Sequence, residues 1–486
     1  MQKLAFDILN LAIVFLIFYP AVLFAQDDDT LRASSLFDTV SNNGDSCFVI
    51  SDIILYGNKK TKSKIIMREL EFAVGDTLCY SQVDKKIEQS RQNLLKTSLF
   101  NYVTITYQPS DYQNNFLINI LVEERWYIWP QVDIAPHNGN LNDWLRDPEF
   151  DKIDYSFGIK KYNFRGRKES IFINFRRGFN NITQIGYSDI AVERSRKNLL
   201  GFSAEILKRK SGILKIYDNN AKYIDIDGAS IAFKEYQYKI VYTYRPKINI
   251  RNNLEIGYTN TKIHDSVAFY NPEYLGEGRT KIQAVNLSYV FSYDKRNSSY
   301  YPLSGEYFKA MIGKRGLLFD DIDFYNGVFD CRVYRNLGEK FYFASQCYYS
   351  WSSSSTPFYY REAFGTKPNV VPGYEKRQIC GTHLGYLQTS YKYELLKTHI
   401  LELKKINVPK FNKIHYAFYI NFFANCGYVS RESSDDDDFN DMNGAFLGAI
   451  GLGLDLVTYY DRVFSVYYTR NIQGDGYLGV GIKTFF

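Results

Sequence analysis

From about residue 126 to the end of the chain, apolar and polar positions alternate with a period of two. Between 232 and 244, Tyr236, Tyr238, Ile240, Tyr242 and Tyr244 fall on one face and Glu235, Gln237, Lys239, Val241 and Thr243 on the other. The same pattern holds in 284–293, where Val285, Leu287, Tyr289, Phe291 and Tyr293 share a face, and in 171–176, where Ile171, Ile173 and Phe175 do. Period two is the signature of strands, because successive side chains point to opposite sides of a pleated ribbon. Strand starts fall near 126, 151, 168, 181, 197, 230, 252, 279, 304, 322, 341, 379, 415, 444, 462 and 476, which is sixteen. An even number, with connections alternating between short (165–167, 245–251, 336–340) and long (210–227, 265–278, 353–378, 430–443), is what a bacterial transmembrane β-barrel shows. A soluble sandwich would produce the same alternation with its apolar face turned inward. The choice between them rests on the two chain ends and the length.

Residues 47–125 read differently. Strand-like 49–56 ends at Gly57-Asn58, Ser63 can cap a helix to about Glu71, and Gly75-Asp76 makes a turn. Ser81 opens a second helix with Asp84 in the capping-box position, and Val83, Ile87, Leu94 and Leu95 lie on one helical face. Strands 102–107 and 116–122 follow around a polar turn at 109–115. The order is β-α-α-β-β, a small α+β domain.

The N-terminus carries Lys3, an apolar stretch over 11–25 broken by Pro20, then Gln26 and three aspartates. This reads as a signal peptide over 1–25, with a disordered polar leader over 26–46. The alternative is an uncleaved anchor, for which the run is short of the roughly 20 residues a spanning helix needs. No later segment is apolar enough to cross as a helix, so any crossing falls to strands. The mean hydropathy of −0.32 resembles that of a soluble protein, but 43 Tyr and 36 Phe against 4 Met suit lipid-facing strands. The net charge of +6 is not gathered into a basic stripe, which argues against nucleic acid. Six cysteines lack zinc-type spacing. Cys331 and Cys347 flank the turn at 336–340, and Cys47 with Cys79 is the other conceivable pair; simple unpaired side chains are the bland alternative. The chain ends Leu478-Gly479-Val480-Gly481-Ile482-Lys483-Thr484-Phe485-Phe486, an alternating strand closed by an aromatic residue. Phe486 fits a C-terminal assembly signal of outer-membrane barrels. No metal, cofactor or catalytic constellation emerges: the acidic run 435–438 reads as a solvated loop, and the chain is read as a non-enzyme.

Over about 47–486 the chain resembles the BamA/TamA superfamily of POTRA-plus-barrel proteins. Gly57-Asn58, Thr61, Gly75-Asp76, the "LLKTSLF" stretch and Val103 match the POTRA pattern. In the barrel, Asp294-Lys295-Arg296-Asn297 with Tyr301-Pro302 and Gly305 match a periplasmic-turn motif, and Phe364-Gly365 with Val371-Pro372-Gly373-Tyr374 match the family's sixth-outer-loop motif. "ERWYIWP" and "YNFRGRKE" look like the Bacteroidetes branch. The resemblance implies one POTRA domain over 47–125 in the periplasm and a 16-stranded outer-membrane barrel over 126–486. The family's loop arginine is here Pro372, and the facing strand reads Lys392-Tyr393-Glu394, so the usual ion pair is absent. Arg377 with Glu394 is the candidate substitute.

The implied function is assembly or translocation of outer-membrane polypeptides. Tyr102, Val103, Thr104, Ile105, Thr106 and Tyr107 would form an edge strand that takes unfolded or β-strand clients by backbone pairing. Pro130, which lacks an N–H, and the weakening Gly479 and Gly481 would mark a gate between first and last strands. Expected partners are outer-membrane lipid, polypeptide clients and accessory subunits. The alternatives are a passive pore or transporter, and a structural subunit of an outer-membrane complex.

Overall fold

The computed structural model describes residues 47–109, 115–136, 150, 153–217, 220–225, 231–317, 321–365, 369–375, 377–402, 413–430, 442–458 and 462–481. The expected signal peptide, the leader, the acidic run 435–438 and Phe486 lie outside them. Contacts divide the chain into two units, the second of which comprises Lys60–Lys62 and everything from Arg125 onward.

In the first unit the elements are β1 (Cys47–Tyr56), α1 (Ser63–Met67), β2 (Thr77–Cys79), α2 (Tyr80–Lys96), β3 (Phe100–Pro109) and β4 (Asn115–Glu124). The sheet order is β2-β1-β4-β3, with β1 and β4 parallel and the other neighbours antiparallel. Ile65 and Ile66 of α1 and Val83 and Leu94 of α2 join Phe48, Ile50, Ile118 and Ile120 among the buried apolar residues. Gly57 is obligatory for its turn: its φ is +86°, and a Cβ there would lie 2.0 Å from the Val122 carbonyl oxygen.

The structure changes three local readings. Helix α1 stops at Met67, short of Glu71. A short strand, β2, precedes the second helix, and α2 starts at Tyr80 with Cys79 as a cap that makes no side-chain capping hydrogen bond, so the expected Ser81–Asp84 box does not set its start. The cause is covalent and cross-strand: Cys79 pairs with Cys47 in the β1–β2 ladder and is disulfide-bonded to it, which fixes the chain as it enters the helix.

The second unit contains a sixteen-stranded antiparallel sheet. Its strands are β5 (Ile128–Pro136), β6 (Ile153–Phe164), β7 (Glu169–Gly178), β8 (Asn180–Ala191), β9 (Asn198–Arg209), β12 (Phe233–Lys247), β13 (Ile250–Ile263), β14 (Lys281–Asp294), β15 (Gly305–Arg315), β16 (Phe324–Asn336), β17 (Phe341–Ser352), β20 (His383–Glu402), β21 (Lys413–Val429), β22 (Phe446–Thr458), β23 (Arg462–Asn471) and β24 (Gly476–Gly481). Each pairs with the next in this order. A hairpin of β10 (Ser211–Tyr217) and β11 (Asn220–Asp225) stands where a plain loop was expected, and α3 (Asp265–Tyr270) interrupts the next long connection.

The sheet is rolled. Tyr301, in the connection from β14 to β15, donates to Asp455 of β22 at 2.9 Å. In a flat sheet five strand spacings, or about 24 Å, would separate β15 from β22. The burial pattern gives the direction of the faces. Along β23, Phe464, Val466 and Tyr468 are exposed at 45, 50 and 56%, while Val463, Ser465, Tyr467, Thr469 and Asn471 between them are buried. Tyr238, Ile240, Tyr242 and Tyr244 are exposed on β12, and Glu235 and Thr243 are buried. Polar side chains inside and apolar ones outside is the inverse of a soluble sandwich and the arrangement of a transmembrane barrel. Among the described residues no helix is long and apolar enough to cross a membrane.

Short and long connections alternate with a few exceptions, among them these two. Phe179 alone joins β7 to β8 at the far end, and residues 295–304 form a long connection at the near end, where β5 begins. The second exception has a cause: this connection turns inward to deliver Tyr301 to Asp455.

Candidate functional site

The connection from β17 to β20 folds back into the barrel. Its arms pair as a two-stranded clip, β18 (Ala363–Phe364) with β19 (Ile379–Cys380). At its tip the Tyr374 N–H bonds to the Val371 carbonyl at 3.0 Å, with Pro372 and Gly373 between them and Gly373 at φ +98°. Pro second and a positive-φ Gly third is the sequence of a type II turn. Proline at 372 therefore costs the turn nothing, and a Cβ on Gly373 would lie 2.6 Å from that of Ala449.

The tip is bound to the inner wall by groups from successive strands. Asn425 of β21 donates to the Pro372 carbonyl at 3.2 Å, and Asn471 of β23 to the Gly373 carbonyl at 3.0 Å. The Tyr374 hydroxyl accepts from the Gly448 N–H at 2.8 Å and donates to Gln473 at 2.8 Å. Val371 and Tyr374 are buried with Phe364, Ile379, Leu384, Leu447 and Ala449. Burial pushes the Tyr374 phenol up, so it stays a neutral donor. Glu375 takes the Gly373 N–H at 2.8 Å and the Tyr467 hydroxyl at 2.7 Å.

Arg377 meets Asp475 at 3.4 Å, in the turn from β23 to β24. The expected Arg377–Glu394 pair is not formed. Glu394 lies beside Lys340 at the near end of β20, eleven residues from His383, or about 35 Å along the strand, whereas the loop enters from the far end. Burial acts to raise the Asp475 carboxyl, but hydrogen bonds from Asn471, Tyr477 and Arg377 outweigh it and hold the group below its ordinary value.

Lys392 and Glu394 belong to a second cluster. Lys392 is 3% exposed, with its Nζ 4.2 Å from the Tyr301 ring centroid. Glu394 accepts from Tyr419 at 3.4 Å. Asp455 accepts from Tyr301, from Ser465 at 2.6 Å and from Asn421 at 3.4 Å. Asp455 was missed from sequence. Its signal was there: it is the one acid in the apolar strand β22.

Of the remaining expected residues, Tyr102, Val103, Thr104, Ile105, Thr106 and Tyr107 lie within β3, the edge strand beyond β4. Pro130 lies in β5, opposite Ile159 of β6. Gly479 and Gly481 lie in β24, opposite Tyr467 and Ser465 of β23. A Cβ on Gly479 would be 2.1 Å from the Tyr467 ring, so this glycine makes room for an aromatic side chain. Cys331 and Cys347 are directly opposite each other on β16 and β17, yet both are free.

Residues 48–125 match the family model "POTRA: Surface antigen variable number repeat". This is a POTRA-plus-barrel chain. Among solved structures, the POTRA-plus-barrel fold here is similar to BamA from Haemophilus ducreyi lacking POTRA domains 1–3, at 16% identity and TM-score 0.51, covering 89% of this chain and 83% of that one. It is also similar to CdiB from Escherichia coli, at 11% identity and TM-score 0.51, covering 95% and 92%. CdiB from Acinetobacter baumannii follows at 12% identity and TM-score 0.50, covering 89% and 73%. No curated protein matches in sequence. The POTRA-plus-barrel chain is an outer-membrane protein with a periplasmic POTRA domain. The far end of its barrel carries most of the long connections, which in bacterial barrels lie outside.

Proposed function

We propose that this POTRA-plus-barrel protein assembles or translocates polypeptides at the outer membrane. In this reading β3 takes a client strand on its open edge, and the seam between β5 and β24 parts to pass it. The observation that carries the reading is the seam: among the described residues β5 and β24 end the sheet on its two sides and do not pair with each other. The inward loop is fastened to β21, β22, β23 and the turn before β24, while among the described residues β24 itself pairs with β23 only over Gly476–Gly481. A seam without ladder bonds can part while the loop keeps the wall behind it in shape. Within β3, Thr104 and Thr106 are exposed, so a client meets polar side chains and an unpaired backbone, which favours recognition by ladder bonds over side-chain identity. Two inward features, the loop tip and Tyr301, stand in the lumen and count against a passive open pore.

The test is a disulfide lock. Cysteine pairs between Val132 or Ile134 of β5 and Leu478 or Val480 of β24 are introduced into a chain whose four cysteines outside the Cys47–Cys79 disulfide are serine, and the outer-membrane proteome is compared with that of a deletion strain. Locked cells should lose the same surface proteins as the deletion and regain them on reduction. A fully locked strain that keeps them overturns the reading.

A further inference from the structure

We propose that Lys208, Lys234, Lys262 and Lys281 form a site on the barrel's outer face for the phosphate groups of a glycolipid in the outer leaflet. The register places them in one row. Lys208 of β9 is opposite Lys234 of β12, Lys234 is opposite Lys262 of β13, and Lys262 is opposite Lys281 of β14. Their chain neighbours Leu207, Glu235, Thr261 and Ile282 are buried toward the inside, so all four lysines point outward.

Their depth is set by the rows beneath them. Toward the periplasm come Tyr236 with Asn260 and Gln283, then Tyr238 with Tyr258, then Ile240, Ile256 and Leu287, then Tyr242, Leu254 and Tyr289. From Lys234 to Tyr242 is eight residues, about 27 Å along a strand and about 20 Å after a tilt near 40°. The apolar band of such a barrel is about 25 Å tall. The lysine row therefore sits at the outer headgroup level, at the end that carries the long connections.

Four like charges directly opposite one another in a ladder repel and destabilise the sheet. Among the described residues no carboxylate forms an ion pair with any of them. Two barrel lysines elsewhere do have such partners: Lys239 meets Glu255 at 3.3 Å and Lys314 meets Asp323 at 3.3 Å. The described residues supply no counter-charge to the row, and a ligand phosphate would. An ammonium on a flexible stem is a point-charge donor suited to phosphate oxygens. The stems rise from a wall of Tyr and Ile, so the matching ligand carries phosphates above acyl chains. A soluble anion would gain from the charges but not from the wall.

The test uses the full chain, folded in zwitterionic detergent micelles, and titrates it with bisphosphorylated lipid A. Dephosphorylated lipid A, phosphatidylglycerol and inorganic phosphate are run in parallel. K208Q/K234Q/K262Q/K281Q is compared with the fourfold Lys→Arg variant, and only preparations showing the folded band on unheated gels are scored. Wild type and the Arg variant should bind lipid A, the Gln variant at least about tenfold more weakly, with the difference falling as salt rises. Equal binding by wild type and the Gln variant overturns the proposal. So does equal binding of dephosphorylated lipid A, phosphatidylglycerol or inorganic phosphate. If the Gln variant does not fold, single substitutions at the exposed Lys262 and Lys281 replace it, and unchanged lipid A binding in both again overturns the proposal.

Discussion

The Tyr467 ring lies over Gly479, and its hydroxyl donates to Glu375 at 2.7 Å. One aromatic side chain thus joins the last strand's glycine to the inward loop. Substituting Gly479→Ala should push the ring off its site, because the new Cβ would lie 2.1 Å from it. The cost should be about 1 to 3 kcal/mol, as for other overpacked sites. Proteolysis of the loop in detergent-solubilised protein should rise with it. The variant Tyr467→Phe should keep the packing, lose only the bond to Glu375, and show a smaller effect.

The Arg377–Asp475 contact gives the loop a pH dependence. The Asp475 carboxyl is held below its ordinary value, so its contribution is complete above about pH 4 and is lost as pH falls through the lower folded value. Loop protection from protease should fall on acidification in wild type, and this component should vanish in Asp475→Asn. Both side chains are partly exposed, so the effect should be modest and weaker in high salt.

Within the lumen, Asp455 collects Tyr301, Ser465 and Asn421 beside the buried Lys392. Asp455→Ala should cost about 3 to 5 kcal/mol, since it removes the counter-charge near a buried ammonium. Tyr301→Phe should cost about 1 kcal/mol, one hydrogen bond. Urea unfolding of the barrel in lipid micelles, followed by gel mobility, separates the two.

The Cys47–Cys79 disulfide closes a sequence separation of 32 residues. In the chain-entropy picture such a loop is worth about 3 to 4 kcal/mol. Full-length Cys47→Ser/Cys79→Ser should therefore show earlier proteolysis of the POTRA domain, with the barrel's heat-modified mobility unchanged.

Most of this architecture was written in periodicity. All sixteen barrel strands occur where alternation places them, because a face that meets lipid and a face that meets the lumen both demand period two. Shorter-range features were less legible. The strand β2 has three residues, too few to show a period, and its existence depends on Cys79 meeting Cys47. The loop motif was recognisable at Val371 to Tyr374, but the partner of Arg377 was not. Asp475 is distant in sequence, and only the depth of the loop decides between it and Glu394. The lysine row is invisible along the chain for a similar reason. Its members are separated by 19 to 28 residues and become neighbours only through register.

The account depends most on which face of the strands meets lipid. Single spin labels along 237–244 of β12 and 463–468 of β23, in protein reconstituted into liposomes, test it through collision rates with oxygen and with a water-soluble nickel chelate. The fold predicts that Tyr238, Ile240, Tyr242, Val466 and Tyr468 collide with oxygen and are shielded from nickel, while Val241, Thr243 and Ser465 show no lipid exposure. Nickel access at both sets, or oxygen access without alternation, would contradict it.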